Sequence, residues 1–469
     1  MRRGAAVASA VCGIWLAALV YGLPPQQARR DGRAVQRQIE TAPVIFTVAP
    51  VYASLAALRG GERFPQGAQL MVLRDGRMEV LVAGFAASAD AAVSFDAKTV
   101  LFAGKKSAGD PWGIWEVAVE GGEARPVLAG ATDLIRPLWM PEGRFVYARR
   151  GAGGFALETA GLDGAGPQKL SYLPGSFIPD DVLRDGRVLF ESGFPLGAGK
   201  TPEMFLVYAD GSGVESVRCD HGVGREHGRQ MSLTSGAAGA GAIVFTQGRG
   251  LARFTSALAE EAAVAAPVGE YAGDVAELPD GRWVVSVRRP GAKHYALATW
   301  KPGRAEMMAL AEDAGRDLAE PVVVVPRAVP NRHPSALHPW AFGNLLALDA
   351  RQSRSGVVAG TPVAVRAETM DSAGRVVSLG TAPVEKDGSF FVQAAGDEPL
   401  RFILLDAEGR TLRREQGWFW VRRGEQRICV GCHAGPERAP ENRVPEVLLR
   451  TTTPVALTGT ADTATTGGH

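Results

Sequence analysis

Between residues 44 and 325 one recurring pattern limits the fold more than any other feature. It is a turn built on Asp-Gly or Glu-Gly beside a short strand rich in Val, Leu and Phe. The pattern runs through residues 94–104, 113–117 and 120–127, then 141–148 with 162–164, then 184–190 with 204–211. Further copies begin at 239–245 and 279–286, and a divergent first copy lies at 69–82. Starts recur at about 40 to 50 residues, the size of a four-stranded propeller blade. The turn residues supply the positive φ of a tight hairpin, and the strand needs a neighbouring unit to cover its apolar face. One unit cannot bury itself, so several stack and close into a ring of about six blades. The competing arrangement is an irregular pair of β-sandwiches.

Composition points the same way. Gly (58) and Pro (30) are abundant and long helical periodicity is scarce, which predicts an all-β chain. At 469 residues the chain exceeds one ordinary core. The blade pattern fades at residues 321–326, and a proline-punctuated crossing follows with His333 and His338. From Gly343 to Val421 about seven short strands predict a small β-sandwich. Trp418-Phe419-Trp420-Val421 reads as an aromatic strand, either sandwich core or a contact to a bound group. The expected organisation is a signal peptide or membrane anchor at 1–25, a linker at 26–43 and a propeller at 44–325. A sandwich middle domain at 326–425, an attachment segment at 426–450 and a disordered tail at 451–469 complete it. Lys+Arg of 51 against Asp+Glu of 50 gives no basic excess, so no nucleic-acid partner is expected.

The chemistry concentrates in Cys429-Val430-Gly431-Cys432-His433, a C-x-x-C-H pattern of the kind to which c-type haem is attached. With four Cys and seven His in the chain, their own frequencies give this pattern by chance in roughly one such sequence in two thousand. Cys429 and Cys432 would carry the thioethers of one haem c, and His433 would be the proximal iron ligand. The alternative is a propeller binding or scaffold module in which Cys429 and Cys432 form a zinc site or a disulfide. A thioredoxin-type pair needs a strand-to-helix context, and Ala434-Gly435-Pro436 does not continue a helix.

A small cytochrome c carries this motif at the start of a helical domain and takes an axial Met from downstream. Here 36 residues follow His433 and the last methionine is Met370. A second axial ligand must therefore come from upstream: His333 and His338 lead, then His294, His221 and His227, with an open distal position equally consistent. A second candidate cluster, Cys219, His221 and His227, lies in a glycine-rich loop that reads either as a metal site or as a solvated turn. There is no G-x-S-x-G elbow and no credible hydrolytic triad. Electron transfer to a redox partner protein and small-molecule redox chemistry remain open together.

At the other end, Met1-Arg2-Arg3 precedes an uncharged run from Gly4 to Ala28 with an apolar core from Ala5 to Leu23. That is an export signal, also just long enough to span a bilayer as a single anchor. Pro24-Pro25 follows in place of a clear cleavage site, so cleaved signal and retained anchor both stand. Either places the rest of the chain in the periplasm or an equivalent compartment outside the cytoplasm, where c-type haem is attached.

The blade units resemble the repeats of TolB-like and WD40-like propellers. Beyond them stand Asp387-Gly388-Ser389-Phe390, Asp397-Glu398-Pro399-Leu400, Leu404-Leu405-Asp406 and the run from Gly417 to Arg427. The haem motif and Ala439-Pro440-Glu441-Asn442-Arg443 complete the series. Together they resemble the hydrazine synthase alpha-subunit-like family of exported haem proteins. The resemblance implies a six-bladed propeller, a middle domain holding a c-type haem, and other subunits as partners. It does not imply hydrazine synthesis. The synthase depends on a tyrosine shortly after C-x-x-C-H and carries a second haem motif, whereas residues 434–438 hold no tyrosine and the motif occurs once.

Overall fold

A computed structural model describes residues 42–192, 203–217, 231–233, 243–254, 262–353, 356–415, 417–431, 442–457 and 459. The export segment, the Cys219/His221/His227 loop, Cys432 and His433 lie outside the described residues. From Ala42 onward the chain is one compact unit.

Six four-stranded antiparallel sheets follow one another among the described residues, the arrangement of a propeller. Blade two is Ala87–Val93, Thr99–Lys105, Gly113–Ala118 and Arg125–Leu128. Blade three is Leu134–Met140, Arg144–Gly151, Gly154–Gly161 and Gln168–Lys169; blade four is Phe177–Val182, Val188–Ser192, Glu203–Val207 and Glu215–Ser216. Blade five is Met231–Leu233, Ile243–Gln247, Gly250–Phe254 and Ala262–Val264; blade six is Glu270–Glu277, Trp283–Arg288, Ala296–Trp300 and Met307–Ala311. Blade one joins both ends of the ring. Asp317–Val323 pairs with Val44–Ala49, which is followed by Gln69–Arg74 and Arg77–Val80. Val44 stands opposite Val323 and Ala49 opposite Asp317, so the ring closes by strand pairing and leaves no open edge there.

The hairpin turns form as their residues dictate. Asp75 (φ 47°) and Gly76 (φ 75°) are both left-handed, the conformation of a two-residue hairpin between Gln69–Arg74 and Arg77–Val80. The strands then bury both faces. In Thr99–Lys105, Val100 and Phe102 pack with blade one's Ile45, Leu70 and Val72, while Leu101 packs with blade three's Leu134, Phe145 and Tyr147. Alternate residues of one strand serve two neighbouring blades, so a blade is stable only between others.

The first strand of most blades carries a bulge that turns a charged residue out of the ladder. Pairing shifts around Asp90, Arg136, Asp180 and Asp274, and around Glu320 in the closing strand. Asp90, Arg136 and Glu320 adopt positive φ there. These side chains meet in the centre of the ring, where Arg136 binds Asp274 at 2.9 and 3.0 Å and also pairs with Glu320 and Asp180. Residues 50–68 lie over this centre, with Tyr52, Leu55, Leu58 and Phe64 packed against inner residues of several blades. The same segment inserts Arg63 between Asp90 and Glu320.

The middle domain is a sandwich of two four-stranded sheets. One has the order Gln426–Cys429, Phe342–Ala347, Phe390–Ala395, Val455–Leu457; the other Val376–Pro383, Ala364–Met370, Arg401–Leu405, Thr411–Arg414. Leu345, Ala347, Phe390 and Val392 of the first pack on Val365, Ala367, Phe402 and Leu404 of the second. Two expectations need correction. The attachment segment is not an appendage, because Gln426–Cys429 is an edge strand of the sandwich, and Val455–Leu457, expected in a disordered tail, pairs with Phe390–Ala395 as the opposite edge. Trp418 and Trp420 are not sandwich core either. They bury in the core of blades three and four with Leu170, Phe177, Phe190 and Phe205. Only Phe419 and Val421, pointing the other way, pack on the sandwich.

Candidate functional site

The strand Gln426–Cys429 runs parallel to Phe342–Ala347, with Ala347 opposite Cys429. Backbone bonds hold both its ends: Asn344 N donates to Glu425 O and Leu348 N to Cys429 O, each at 2.9 Å. Among the described residues its other side has no strand partner. Within it, Ile428 is 65% exposed while Cys429 is half-buried, the alternation of a pleated edge strand. Cys429, the one cysteine among the described residues, forms no disulfide there. Burial pushes its thiol above the usual range, and the Arg427 guanidinium, which faces it, draws it back down.

Gly431, the second of the two residues between the motif cysteines, is constrained by close packing. A Cβ on Gly431 would stand 2.8 Å from Asp349 O and 3.0 Å from Gln352 O, so a side chain there would push the motif off the sandwich. Where the chain is described again, it returns to the same corner. Arg443 pairs with the Asp387 carboxylate and donates to Asp387 O at 3.1 Å and Leu348 O at 3.4 Å. The amide of Glu446 donates to Asp387 Oδ2 at 2.8 Å, and that of Val447 to Ser389 Oγ at 3.1 Å. Burial opposes ionisation of Asp387, but the Ser389 hydroxyl, the Glu446 and Ser389 amides and Arg443 hold its carboxyl below the ordinary range. Gly431 on one side and Arg443 on the other are thus both fixed around Leu348–Gln352 and Asp387. The two sequence runs that carry the resemblance, around Asp387 and around Arg443, meet here.

The candidate distal histidines are placed apart. His333 stacks on Tyr208 of blade four with ring centroids 3.7 Å apart. His338 stacks on Trp340 at 4.5 Å, and its backbone N donates to Gly424 O at 3.0 Å, in the turn that leads into the Cys429 strand. His294 Nδ1 lies 3.2 Å from Asp317 Oδ1 in the propeller. Of the three, His338 belongs to the segment bonded closest in sequence to the motif. Among the described residues no cluster of three or more His, Cys, Asp or Glu side chains forms a metal site, and no helix is long and apolar enough to cross a membrane.

Sequence reading missed the charged centre of the propeller. Asp90, Arg136, Asp180, Asp274 and Glu320 are each at most 8% exposed. Burial pushes Asp180 well above the carboxylate range, with Glu191 adding to it, and raises Asp274 to about 6 despite Arg136. Glu320, although buried, is held down to about 2 by Arg136 and Arg63. Asp180 Oδ2 has no hydrogen-bond partner. The signal was a charged residue interrupting an apolar strand once per blade, as in Ala89-Asp90-Ala91 and Gly273-Asp274-Val275.

The donor chemistry at the sandwich edge suits a tethered haem. Cys429 sits at an unpaired edge, where a large planar group can be attached without opening a core. Comparison with known proteins agrees on the domain. Residues 347–434 match the family model of the hydrazine synthase alpha subunit middle domain. Among solved structures, Kuenenia stuttgartiensis hydrazine synthase shares the fold, with a TM-score of 0.71 at 18% identity over 87% of this chain and 71% of that one. TolB from Acinetobacter baumannii aligns over 64% of this chain and 73% of that one at 15% identity, with a TM-score of 0.46. No curated protein matches the chain. Residues 347–434 of this propeller protein are therefore similar to the hydrazine synthase alpha subunit middle domain.

Proposed function

We propose that this chain is an exported, single-haem c-type cytochrome-like protein that passes electrons or carries out small-molecule redox chemistry. The observation that carries the reading is the position of Cys429. The first cysteine of a C-x-x-C-H motif stands at the open edge of the family-matched domain, and the chain is fixed to the same corner where it is described again at Arg443. Cys429 and Cys432 would hold the haem and His433 would offer its imidazole. The group would supply a one-electron iron couple or an open coordination position. The chain's own part is to fix the tether: Gly431 seats the motif on Asp349 and Gln352, and Arg443 locks the returning segment to Asp387.

Export through the N-terminal apolar segment supports the reading, because it delivers the thiols to the compartment where haem is attached. A redox partner protein and further subunits are the partners proposed, the latter because the matched domain is named for an alpha subunit. Hydrazine formation is not proposed, since residues 434–438 lack a tyrosine and the haem motif is single. The test is the chain expressed with a cytochrome c maturation system. A covalent haem stain is expected, lost in Cys429→Ala/Cys432→Ala, and stoichiometric zinc with no covalent haem would sink the proposal. Rapid carbon monoxide binding by the ferrous form would favour small-molecule chemistry, and its absence electron transfer.

A further inference from the structure

The strand that carries Cys429 is four residues long and paired on one side only, so backbone pairing alone holds it weakly. Its second support is the propeller. The blade-four turn at residues 208–214, between Glu203–Val207 and Glu215–Ser216, is bonded through its backbone to side chains that precede the motif. Trp420 Nε1 donates to Gly211 O at 2.8 Å, and Arg422 donates to Asp210 O. Glu425, 6% exposed, accepts the Gly213 amide at 3.1 Å through one oxygen and the Arg422 amide at 2.7 Å through the other. Arg427 donates to Val214 O at 2.5 Å and to Trp420 O at 3.4 Å, and lies over the Phe419 ring at 5.3 Å.

Arg427 differs from the rest of this contact because it is on the attachment strand itself. Residues two apart in a strand share a face, so Arg427 and Cys429 lie on the side of the sheet where Leu345 and Ala347 pack, from which the Arg427 guanidinium reaches Val214 O, while Ile428 turns to solvent. Resting on the haem reading, we propose that Arg427, seated beside Glu425, is a positioning residue for the group tethered at Cys429. It ties the attachment strand to the backbone of blade four, so the propeller sets where the tether sulfur stands. Contacts to backbone carbonyls suit this role, because they fix register whatever side chains the turn carries. A guanidinium spans two carbonyls where an ammonium reaches one.

The test compares the full-length chain, matured with haem, as wild type, Arg427→Met, Arg427→Lys and a control, Trp300→Phe, in the blade-six core. Arg427→Met keeps packing on Phe419 but has no donors. It is expected to lower covalent haem per folded chain by about threefold or more and to shift the midpoint potential of the haem that remains. Lys should restore part of both. Trp300→Phe should lower the melting temperature and leave haem content and potential unchanged. Wild-type haem content and potential in Arg427→Met would overturn the proposal, as would an equal loss in the control. If the wild type carries no covalent haem, the haem reading fails by itself. Hydrogen exchange of Gln426–Cys429 then still tests the lock: faster exchange in Arg427→Met supports it, and unchanged exchange overturns it.

Discussion

In the centre of the propeller, Arg136 alone engages three carboxylates, and Arg63 reaches down from residues 50–68 to engage two. At the edge of the middle domain, the Cys429 strand has one strand partner among the described residues, Phe342–Ala347. The first place is the richer in charge and the second in accessible chemistry. The centre is closed by its own chain, so its ionic network organises the ring, with five elements contributing one charged residue each at a bulge. The edge is sparse, which leaves room for the tethered group proposed there. Density of ionisable groups marks the structural centre of this molecule, and an open, firmly braced strand end marks its proposed functional one.

If that contrast is right, substitutions in the two places should separate folding from haem content. The largest effect belongs to Arg136→Met. It leaves Asp180, Asp274 and Glu320 buried with too little positive charge, and should cost about 3–5 kcal/mol in denaturant unfolding. A smaller loss would mean that the centre is wetter than its burial indicates. Next is Gly431→Val, whose side chain meets the Asp349 and Gln352 carbonyls. It should cost about 1–3 kcal/mol and also lower haem attachment, since it displaces the motif itself. A stable variant with normal haem content would separate Gly431 from the site.

The pH dependence of stability comes third. Asp180 and Asp274 have folded values raised above the unfolded range, so the folded chain binds more protons than the unfolded one. Their contribution is fully present below the unfolded carboxylate value of about 3.9. It is lost as pH rises through the folded value of about 6 to which burial raises Asp274. Glu320 works in the opposite direction only under acid, because its folded value is held near 2. Melting temperature should therefore rise as pH falls from 7 toward 5, and Asp180→Asn should raise it at pH 7 by removing the cost of burying a carboxylate that shares Arg136 with Asp274 and Glu320. A flat profile would show that Arg136 offsets the burial of Asp180 and Asp274 in full. The smallest effect is expected for Ile428→Ser. This exposed residue should change stability by less than about 0.5 kcal/mol and leave haem content intact, although Cys429 is its neighbour.

How much of this was legible in the sequence follows from where the determinants lie along the chain. The hairpins were readable because a turn such as Asp75-Gly76 and the strand after it are local, and the blades followed from their recurrence. The closing strand Asp317–Val323 was not readable as part of blade one. Its partner lies at the other end of the ring, and an apolar run fits any sheet. Trp418 and Trp420 resembled sandwich core because alternation tells which residues share a face but not which neighbour covers it. Val455–Leu457 lacked any strand signal beyond three apolar residues after a proline, and its place on the sheet comes from the edge offered by Phe390–Ala395. The motif at Cys429 was legible because covalent chemistry fixes its spacing, whereas its bracing by Arg427 and Arg443 depends on contacts with distant segments.

The central claim is a haem held by Cys429 and Cys432 in a propeller protein braced from blade four. Intact mass of the exported, matured chain tests it most directly, followed by mapping of the peptide that contains residues 429–433. The account predicts one haem per chain, retained after denaturation and carried on that peptide. A mass equal to the polypeptide alone, under conditions that mature a control cytochrome c, would contradict it.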